Sequence, residues 1–187
     1  QDGLDSFGRV LLCGTRNLPQ VQLATTGVAT HDVTLMIQTH THIDHIGHMD
    51  EFQHAPMLIA QAERALPRPL YWGPVQPMPW PDLRYVLLDE DTELGPGLTA
   101  FLVPGHAPGQ IALMVDLPKT GAVMLTSDAI SRPEELNGDF AGSWDPEKAK
   151  TNAERLMALA SDRDATVIFG HCPEQWPQLR KAPEGYF

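Results

Sequence analysis

Four separate stretches of this chain share one arrangement, in which a short apolar run is followed by residues able to bind a metal ion. The first run is Val33 to Ile37, and it ends just before the sequence His-Thr-His-Ile-Asp-His at residues 40–45. A β-branched apolar run predicts a buried strand, and loops at strand ends commonly carry functional residues. The sequence therefore predicts a metal site where the first strand ends.

Three further candidate ligands lie far downstream, and each follows its own apolar run. These pairs are Leu98–Val103 before His106, Val123–Ser127 before Asp128, and Thr166–Gly170 before His171. If the ligand-bearing ends of these strands point the same way, the side chains converge on one edge of the sheets. The metal-site hypothesis therefore requires a fold that brings the four strand ends together.

The spacing within residues 40–45 suits two metal ions. Alternation in an extended segment puts His40 and His42 on the same side, so both can reach one ion. A turn into a helix predicted for residues 44–52 aims Asp44 and His45 at a second point. Neutral imidazole and carboxylate suit Zn²⁺ and its neighbours in the transition series. Six residues cannot complete two coordination spheres, so we expect the downstream residues to supply the rest.

The remaining histidines have simpler interpretations. His31 precedes the first strand and is typical of a turn. His48 and His54 fall on or after the predicted helix, at its surface or behind the ligands. Cys172 adjoins His171 and is interpreted as a neighbour of the site, not a ligand.

Composition limits the class of protein. The 187 residues, with 42% hydrophobic residues, predict one domain spanning residues 1–187. Apolar runs are of strand length, so no membrane segment or membrane partner is expected. The net charge of −11 argues against a nucleic-acid partner, since a phosphate backbone would be repelled. Cys13 and Cys172 do not form a disulfide framework, which favours a reducing, cytoplasmic location. A homodimer is left open.

Two other segments carry structural signals. Six prolines within residues 67–81 disfavour a helix or central strand. That segment is either a surface loop packed on the core or a rigid hydrophobic wall beside the metals. Asp145 and Pro146 begin a helix whose apolar stripe continues to about Ala160, and this stripe is expected to be core. Helix alternating with strand predicts an α/β layered fold.

The motif His40-x-His42-x-Asp44-His45, with the downstream His, Asp and Gly-His, resembles the metallo-β-lactamase superfamily. The likeness runs from about Thr26 to the C-terminus. Residues 104–109, 125–129 and 169–187 are most similar to N-acyl homoserine lactonases. The resemblance implies an α/β fold of the αβ/βα sandwich type, here without the N-terminal strands that usually precede Gln1.

The resemblance also implies a ligand set and a reaction. His40, His42 and His106 would hold one metal, Asp44, His45 and His171 the other, and Asp128 would bridge both. The expected cofactors are two divalent ions, with Zn²⁺ favoured, and the expected substrate is a small acyl lactone. Hydroxide between the metals would attack the lactone carbonyl, with Asp44 and Asp128 as catalytic carboxylates. Such an activity degrades quorum-sensing signals.

One residue departs from the lactonase pattern and leaves alternatives open. The lactonases usually have tyrosine three residues after the bridging Asp, where this chain has Ser131. Either another hydroxyl takes that role or the substrate differs. Another esterase, a thiolesterase, an organophosphate hydrolase and an inactive metal-binding fragment therefore remain alternatives.

Overall fold

The structure, a computed structural model, describes residues 14–187, and Cys13 lies outside them. Within these residues the α-helices are α1 (Pro19–Thr25), α2 (Gln61–Arg64) and α3 (Pro146–Asp162). The strands of the described part of the chain are β1 (Met36–Gln38), β2 (Met57–Ala60), β3 (Tyr85–Leu88), β4 (Thr92–Gly95), β5 (Leu98–Leu102), β6 (Ile111–Leu117), β7 (Gly121–Leu125) and β8 (Thr166–Ile168). Short 3₁₀ helices span Thr15–Asn17, Thr30–Asp32, Met49–Phe52, Ser127–Ile130, Pro133–Asn137 and Trp176–Gln178.

The strands form two sheets, and their directions decide where the ligands emerge. In the smaller sheet β1, β2 and β3 pair in parallel. In the larger sheet β4, β5, β6 and β7 are antiparallel neighbours, and β8 pairs parallel to β7. Because β6 separates β5 from β7, strands β5, β7 and β8 all run in the same direction. Their C-terminal ends therefore lie at one edge of the larger sheet.

Alternation along β6 places its side chains in two different cores. Ile111 joins Leu58 and Leu88 of the smaller sheet in a core between the two sheets. Ala112 and Met114, on the opposite face of β6, pack with α3. The layers are therefore the smaller sheet, the larger sheet and α3, which confirms the predicted α/β class.

Helix α3 forms as its sequence predicts. Asp145 is its N-cap and accepts a hydrogen bond from the Lys148 backbone N–H at 3.1 Å, which satisfies an otherwise unpaired donor. Its buried stripe is Ala149, Ala153, Leu156 and Ala160. Leu156 is fully buried, and burial of a leucine stabilises a fold by about 1.5–3 kcal/mol. The stripe is core, as expected.

Two local predictions need correction. The helix predicted over residues 44–52 is wrong, since only the 3₁₀ turn Met49–Phe52 forms there. His48 has a left-handed backbone with φ of 64°, which interrupts helical geometry before that turn. The first strand is shorter than expected and begins at Met36 instead of Val33. The prediction of no regular helix or central strand over residues 67–81 is confirmed.

No helix within residues 14–187 is both long and apolar enough to cross a lipid bilayer.

Candidate metal centre

The His-Thr-His-Ile-Asp-His segment forms a compact loop directly after β1. Gln38, the last residue of β1, is buried, and its side-chain amide donates to the backbone carbonyls of His40 and His45, the latter at 2.8 Å. The His45 N–H donates to the His42 carbonyl at 2.9 Å, which closes a turn. One buried amide thus ties together the two ends of the loop, and it holds the carbonyls in a non-helical arrangement.

The three downstream residues meet this loop, as the strand directions require. His106 lies in the loop between β5 and β6, Asp128 lies on the 3₁₀ turn after β7, and His171 follows β8. Two groups of side chains have ligand atoms that all lie within 4.8 Å of one another. The first ligand group is His40, His42 and His106, and the second ligand group is Asp44, His45, Asp128 and His171.

Asp128 lies between the two ligand groups. Its Oδ2 atom accepts a hydrogen bond from His171 Nε2 at 3.2 Å and lies 3.4 Å from His45 Nε2. The same oxygen is 3.5 Å from His106 Nε2 and 3.7 Å from His40 Nε2, both in the first ligand group. One carboxylate oxygen is therefore near imidazoles of both groups, which is the placement a bridging ligand needs.

Close packing of the Gly170 backbone against the turn that carries Asp128 brings His171 to the cluster. A Cβ atom on Gly170 would lie 2.5 Å from the Ser127 carbonyl oxygen and 2.8 Å from Asp128 Oδ1. Only glycine leaves room for β8 to pass so near the Asp128 turn. The His171 N–H then donates to the Ser131 carbonyl at 2.9 Å, which fixes the backbone of the ligand.

The electrostatics of the cluster favour ligation. Burial, together with the adjacent His45 ring, lowers the pKa of His40 to about 2. Burial also lowers the pKa of His42, and that of His106 to about 4. These imidazoles are neutral at pH 7, and a neutral imidazole can bind a metal through its lone pair.

The carboxylates of Asp128 and Asp44, in contrast to these neutral imidazoles, are charged at pH 7. Burial opposes ionisation of Asp128, but its hydrogen bond with His171 and the surrounding imidazoles hold its pKa well below the ordinary value. Asp44 behaves in the same way, with His171 as its main partner. Hydrogen bonds to Asp128 and Asp44 raise the pKa of His171 to about 10. A metal ion bound to His171 would displace that proton.

Three buried polar atoms test whether the cluster suits a metal ion. Among the described residues, His40 Nε2, His45 Nε2 and Asp128 Oδ1 are buried and have no hydrogen-bond partner. An unsatisfied buried polar atom costs about 1–3 kcal/mol, and an ion is one of the groups that can satisfy it. Since neutral imidazoles and ionised carboxylates are the ligands that zinc-like ions prefer, the donor set fits a divalent transition metal.

Above the cluster lies an open cleft of about 790 Å³. The ligands His42, Asp44, His106, Asp128 and His171 form part of its wall, and the rest is Trp72, Gly73, Arg132, Gly142, Ser143 and Trp144. Its volume is within the range of small-molecule sites. An adjoining cavity of about 300 Å³ is lined by His106, Asp128, Ser131, Phe140 and Ser143, among others.

The proline-rich segment supplies one wall of this cleft and also packs on the core. Trp72 and Gly73 line the cleft, whereas Tyr71 and Met78 pack against the buried residues Met49 and Met57. Both interpretations of this segment thus hold for different residues within it.

Several residues expected to stay outside the cluster do so. His31 lies 3.5 Å from Asp32, His48 lies 2.6 Å from Glu51, and His54 contacts the Val33 carbonyl at 3.0 Å. None of these histidines belongs to either ligand group. The Cys172 sulfur accepts a hydrogen bond from the Gln175 N–H at 3.4 Å and is likewise outside the groups.

Sequence reasoning missed four residues at or near the site. Gln38 orders the ligand loop, and Arg132, Ser143 and Trp144 line the cleft. Trp144 stands directly before the N-cap of α3, but only the structure shows that its side chain is 64% exposed and lines the cleft. The other three have no distinctive local pattern.

Comparison with known proteins agrees with this geometry. The family model for the Metallo-beta-lactamase superfamily matches residues 8–171. An N-acyl homoserine lactonase of Bacillus thuringiensis is 32% identical over 162 residues, covering 84% of this chain and 63% of that protein. The lactonase AttM of Azorhizobium caulinodans is 32% identical over 182 residues, covering 89% of this chain and 68% of that protein. The chain therefore spans about two thirds of the length of these curated relatives.

Solved structures show the same similarity. An N-acyl homoserine lactone hydrolase with N-hexanoyl-L-homoserine bound at its catalytic metal centre superposes with a TM-score of 0.80 at 29% identity. The match covers 92% of this chain and 69% of that one. A variant of AiiA from B. thuringiensis with N-decanoyl-L-homoserine at its active site gives a TM-score of 0.81 at 29% identity, covering 92% and 69%.

Proposed function

This chain belongs to the metallo-β-lactamase superfamily, and on that premise we propose that it is a dinuclear metal hydrolase that opens the ring of N-acyl homoserine lactones. The observation that carries the proposal is the convergence of seven ligand-type side chains in two adjoining groups beneath an open cleft, with Asp128 Oδ2 within 3.7 Å of imidazoles from both groups. The lactonases that it resembles supply the substrate class.

We assign His40, His42 and His106 to one metal ion and Asp44, His45 and His171 to the other, with Asp128 shared. Zn²⁺ is the proposed metal, because histidine nitrogen and carboxylate oxygen are its usual ligands. A divalent ion supplies Lewis acidity toward an ester carbonyl and makes water nucleophilic at neutral pH.

The residues of the chain have separate tasks in the reaction. Asp128 is ionised and only 6% exposed at its side chain, and its Oδ1 atom has no hydrogen-bond partner among the described residues. We assign to the Asp128 carboxylate the transient holding of a proton lost by the attacking water, and its return to the ring oxygen when the ester bond breaks. Asp44 Oδ2 lies 3.3 Å from His171 Nε2, a separation that suits two ligands of one ion.

The walls of the cleft suit an amphipathic substrate. Trp72 and Trp144 offer apolar surface beside the metal ligands, where an acyl chain can lie. Ser143 lines both the cleft and the adjoining cavity, whereas Ser131 lines only the cavity, so the Ser143 hydroxyl is our candidate for the hydrogen bond to the substrate carbonyl.

A second candidate function follows from Ser131. This small side chain lines the 300 Å³ cavity beside His106 and Asp128, which leaves room for substituents that a lactone ring does not have. Hydrolysis of other carboxylic esters, thiolesters or phosphotriesters at the same centre is the alternative. A cytoplasmic location and action without a nucleic-acid partner remain predictions from the sequence.

The proposal is tested on the purified chain reconstituted with Zn²⁺. Ring opening of N-hexanoyl homoserine lactone is followed by mass spectrometry, beside thiolester and phosphotriester substrates, and bound metal is counted. Since metal ligation contributes several kcal/mol to the transition state, His106→Ala and Asp128→Ala should each reduce hydrolysis by about 10²-fold or more and lower the bound metal.

His31→Ala is the matched control, because His31 is an exposed histidine outside both ligand groups. Full hydrolysis by metal-free protein would refute the scheme. A chain that holds two metals and prefers thiolester or phosphotriester favours the alternative substrates, and one that binds metal poorly and melts without cooperativity is an inactive fragment.

A further inference from the structure

One fully buried carboxylate takes no part in either ligand group. Glu63 lies on α2 and has no exposed surface. Its Oε1 atom accepts hydrogen bonds from the Thr41 N–H at 2.8 Å and from the Thr41 hydroxyl at 2.6 Å. Its Oε2 atom accepts from the Gly109 N–H at 3.0 Å. Three donors therefore surround a carboxylate that no solvent reaches.

These donors belong to the two loops that carry the first ligand group. Thr41 stands between His40 and His42, and Gly109 lies three residues after His106. The two donor residues are 22 and 46 positions away from Glu63 along the chain. One rigid carboxylate thus sets the distance between the loop of His40 and His42 and the loop of His106.

The packing around the carboxylate leaves little freedom. A Cβ atom on Gly109 would lie 2.4 Å from Glu63 Cβ, so the His106 loop rests directly on α2. The Thr41 hydroxyl also accepts from the Leu70 N–H at 3.0 Å, which links a third segment to the same point. A backbone bond from Ile111 N–H to the Thr39 carbonyl at 2.9 Å joins the same two loops. Loss of Glu63 would therefore loosen the spacing without separating the loops.

Burial of the Glu63 carboxylate has a high desolvation free energy. Burial raises the pKa of Glu63, against the effect of its three hydrogen bonds. An apolar residue would fill the volume at lower cost in desolvation, but it would leave the Thr41 and Gly109 donors unpaired. The second ligand group has its own supports, such as Gln175, whose side chain bonds the backbone of Val167 and Phe169 ahead of His171.

We propose that Glu63 is a positioning residue that determines the metal affinity of the His40, His42 and His106 site and leaves the other metal site nearly unchanged. The inference rests on the metal-binding part of the proposed function and is independent of the substrate. Residues behind metal ligands typically change metal affinity by 10–100-fold, and the remaining Thr39–Ile111 bond keeps the expected loss within that range.

The test measures the two Zn²⁺ affinities separately, by competition with a chromophoric chelator, in the full chain. Glu63→Ala should weaken one of the two affinities by about 10–100-fold and the other by less than about 3-fold. Glu63→Gln, which keeps one acceptor oxygen, should give a smaller loss at the same site. The absorption spectrum of the Co²⁺-loaded protein should change for one equivalent only.

Two further variants keep the test decisive if Glu63→Ala folds poorly. Thr41→Val removes the hydroxyl that donates to Glu63 and should weaken the same equivalent, whereas Thr41→Ser should retain it. Leu156→Ala is the stability control, because Leu156 lies on α3, is fully buried in the core, and is neither a candidate ligand nor a hydrogen-bond partner of Glu63. This variant should have a lower melting temperature, but it should not weaken one Zn²⁺ affinity more than the other.

The positioning role would be overturned if Glu63→Ala weakened both Zn²⁺ affinities equally, or if it left both affinities unchanged. A wild-type chain that binds only one Zn²⁺ would overturn it as well. Failure of lactone hydrolysis with two normal metal affinities would instead count against the proposed substrate and leave this test intact.

Discussion

Gly170→Ala offers the sharpest test of how the cluster is assembled. The added Cβ atom would lie 2.5 Å from the Ser127 carbonyl oxygen and 2.8 Å from Asp128 Oδ1. Ordinary contact begins near 3.5 Å, so β8 or the Asp128 turn has to retreat by roughly 1 Å. Overpacking of this kind costs about 1–3 kcal/mol.

This displacement would change the distance between the candidate ligands His171 and Asp128. His171 Nε2 lies 3.2 Å from Asp128 Oδ2, and a shift of roughly 1 Å separates groups that must share one ion. A misplacement of that size can cost on the order of 10²-fold in rate. The stability loss corresponds to a fall in melting temperature of about 2–12 °C, at 2–4 °C per kcal/mol for a chain of this size.

The assay combines thermal denaturation, metal counting and lactone hydrolysis. Gly95→Ala is the matched control, since no atom lies within 4 Å of its added Cβ and its φ is not left-handed. That control should melt near the wild-type temperature and hold the same metal. A Gly170→Ala protein with wild-type melting, two bound metals and wild-type hydrolysis would refute the reasoning.

Two further predictions concern metal and protons. Adding free Zn²⁺ at 100 times its Kd to the metal-free protein should stabilise it by about 2.7 kcal/mol per site and raise its melting temperature by about 5–11 °C. An unchanged melting curve would count against metal binding in the folded state. In metal-free protein, folding lowers the pKa of His40 from 6.5 to about 2 and that of His106 to about 4. Below pH 6.5 the unfolded chain therefore takes up protons that the folded chain does not, so stability should fall as pH drops through 6.5 toward 4. Thermal melts of the metal-free chain between pH 6.5 and 4.5 check this, because above that range the raised pKa of His171 acts in the opposite direction. A melting temperature that stays constant or rises as the pH falls would contradict the prediction.

Local signals in the sequence predicted much of the site. Each strand that ends at a ligand is recognisable from a few adjacent apolar residues, and Asp145 with Pro146 identifies the start of α3. Even so, the local signal over residues 44–52 was misleading. The hydrogen bond from the Gln38 side chain and the left-handed backbone of His48 hold that segment in turns, although its apolar residues recur at helical spacing.

The amino-acid sequence by itself determined which residue types stand at the strand ends, because strand propensity, alternation and capping act over a few neighbours. Only the tertiary structure decided that Asp128 lies between the two ligand groups, that Glu63 joins the loops of Thr41 and Gly109, and that Trp144 borders the cleft. Those contacts join segments far apart in the chain. They depend on how two sheets and a helix pack, and no short stretch of sequence contains that information.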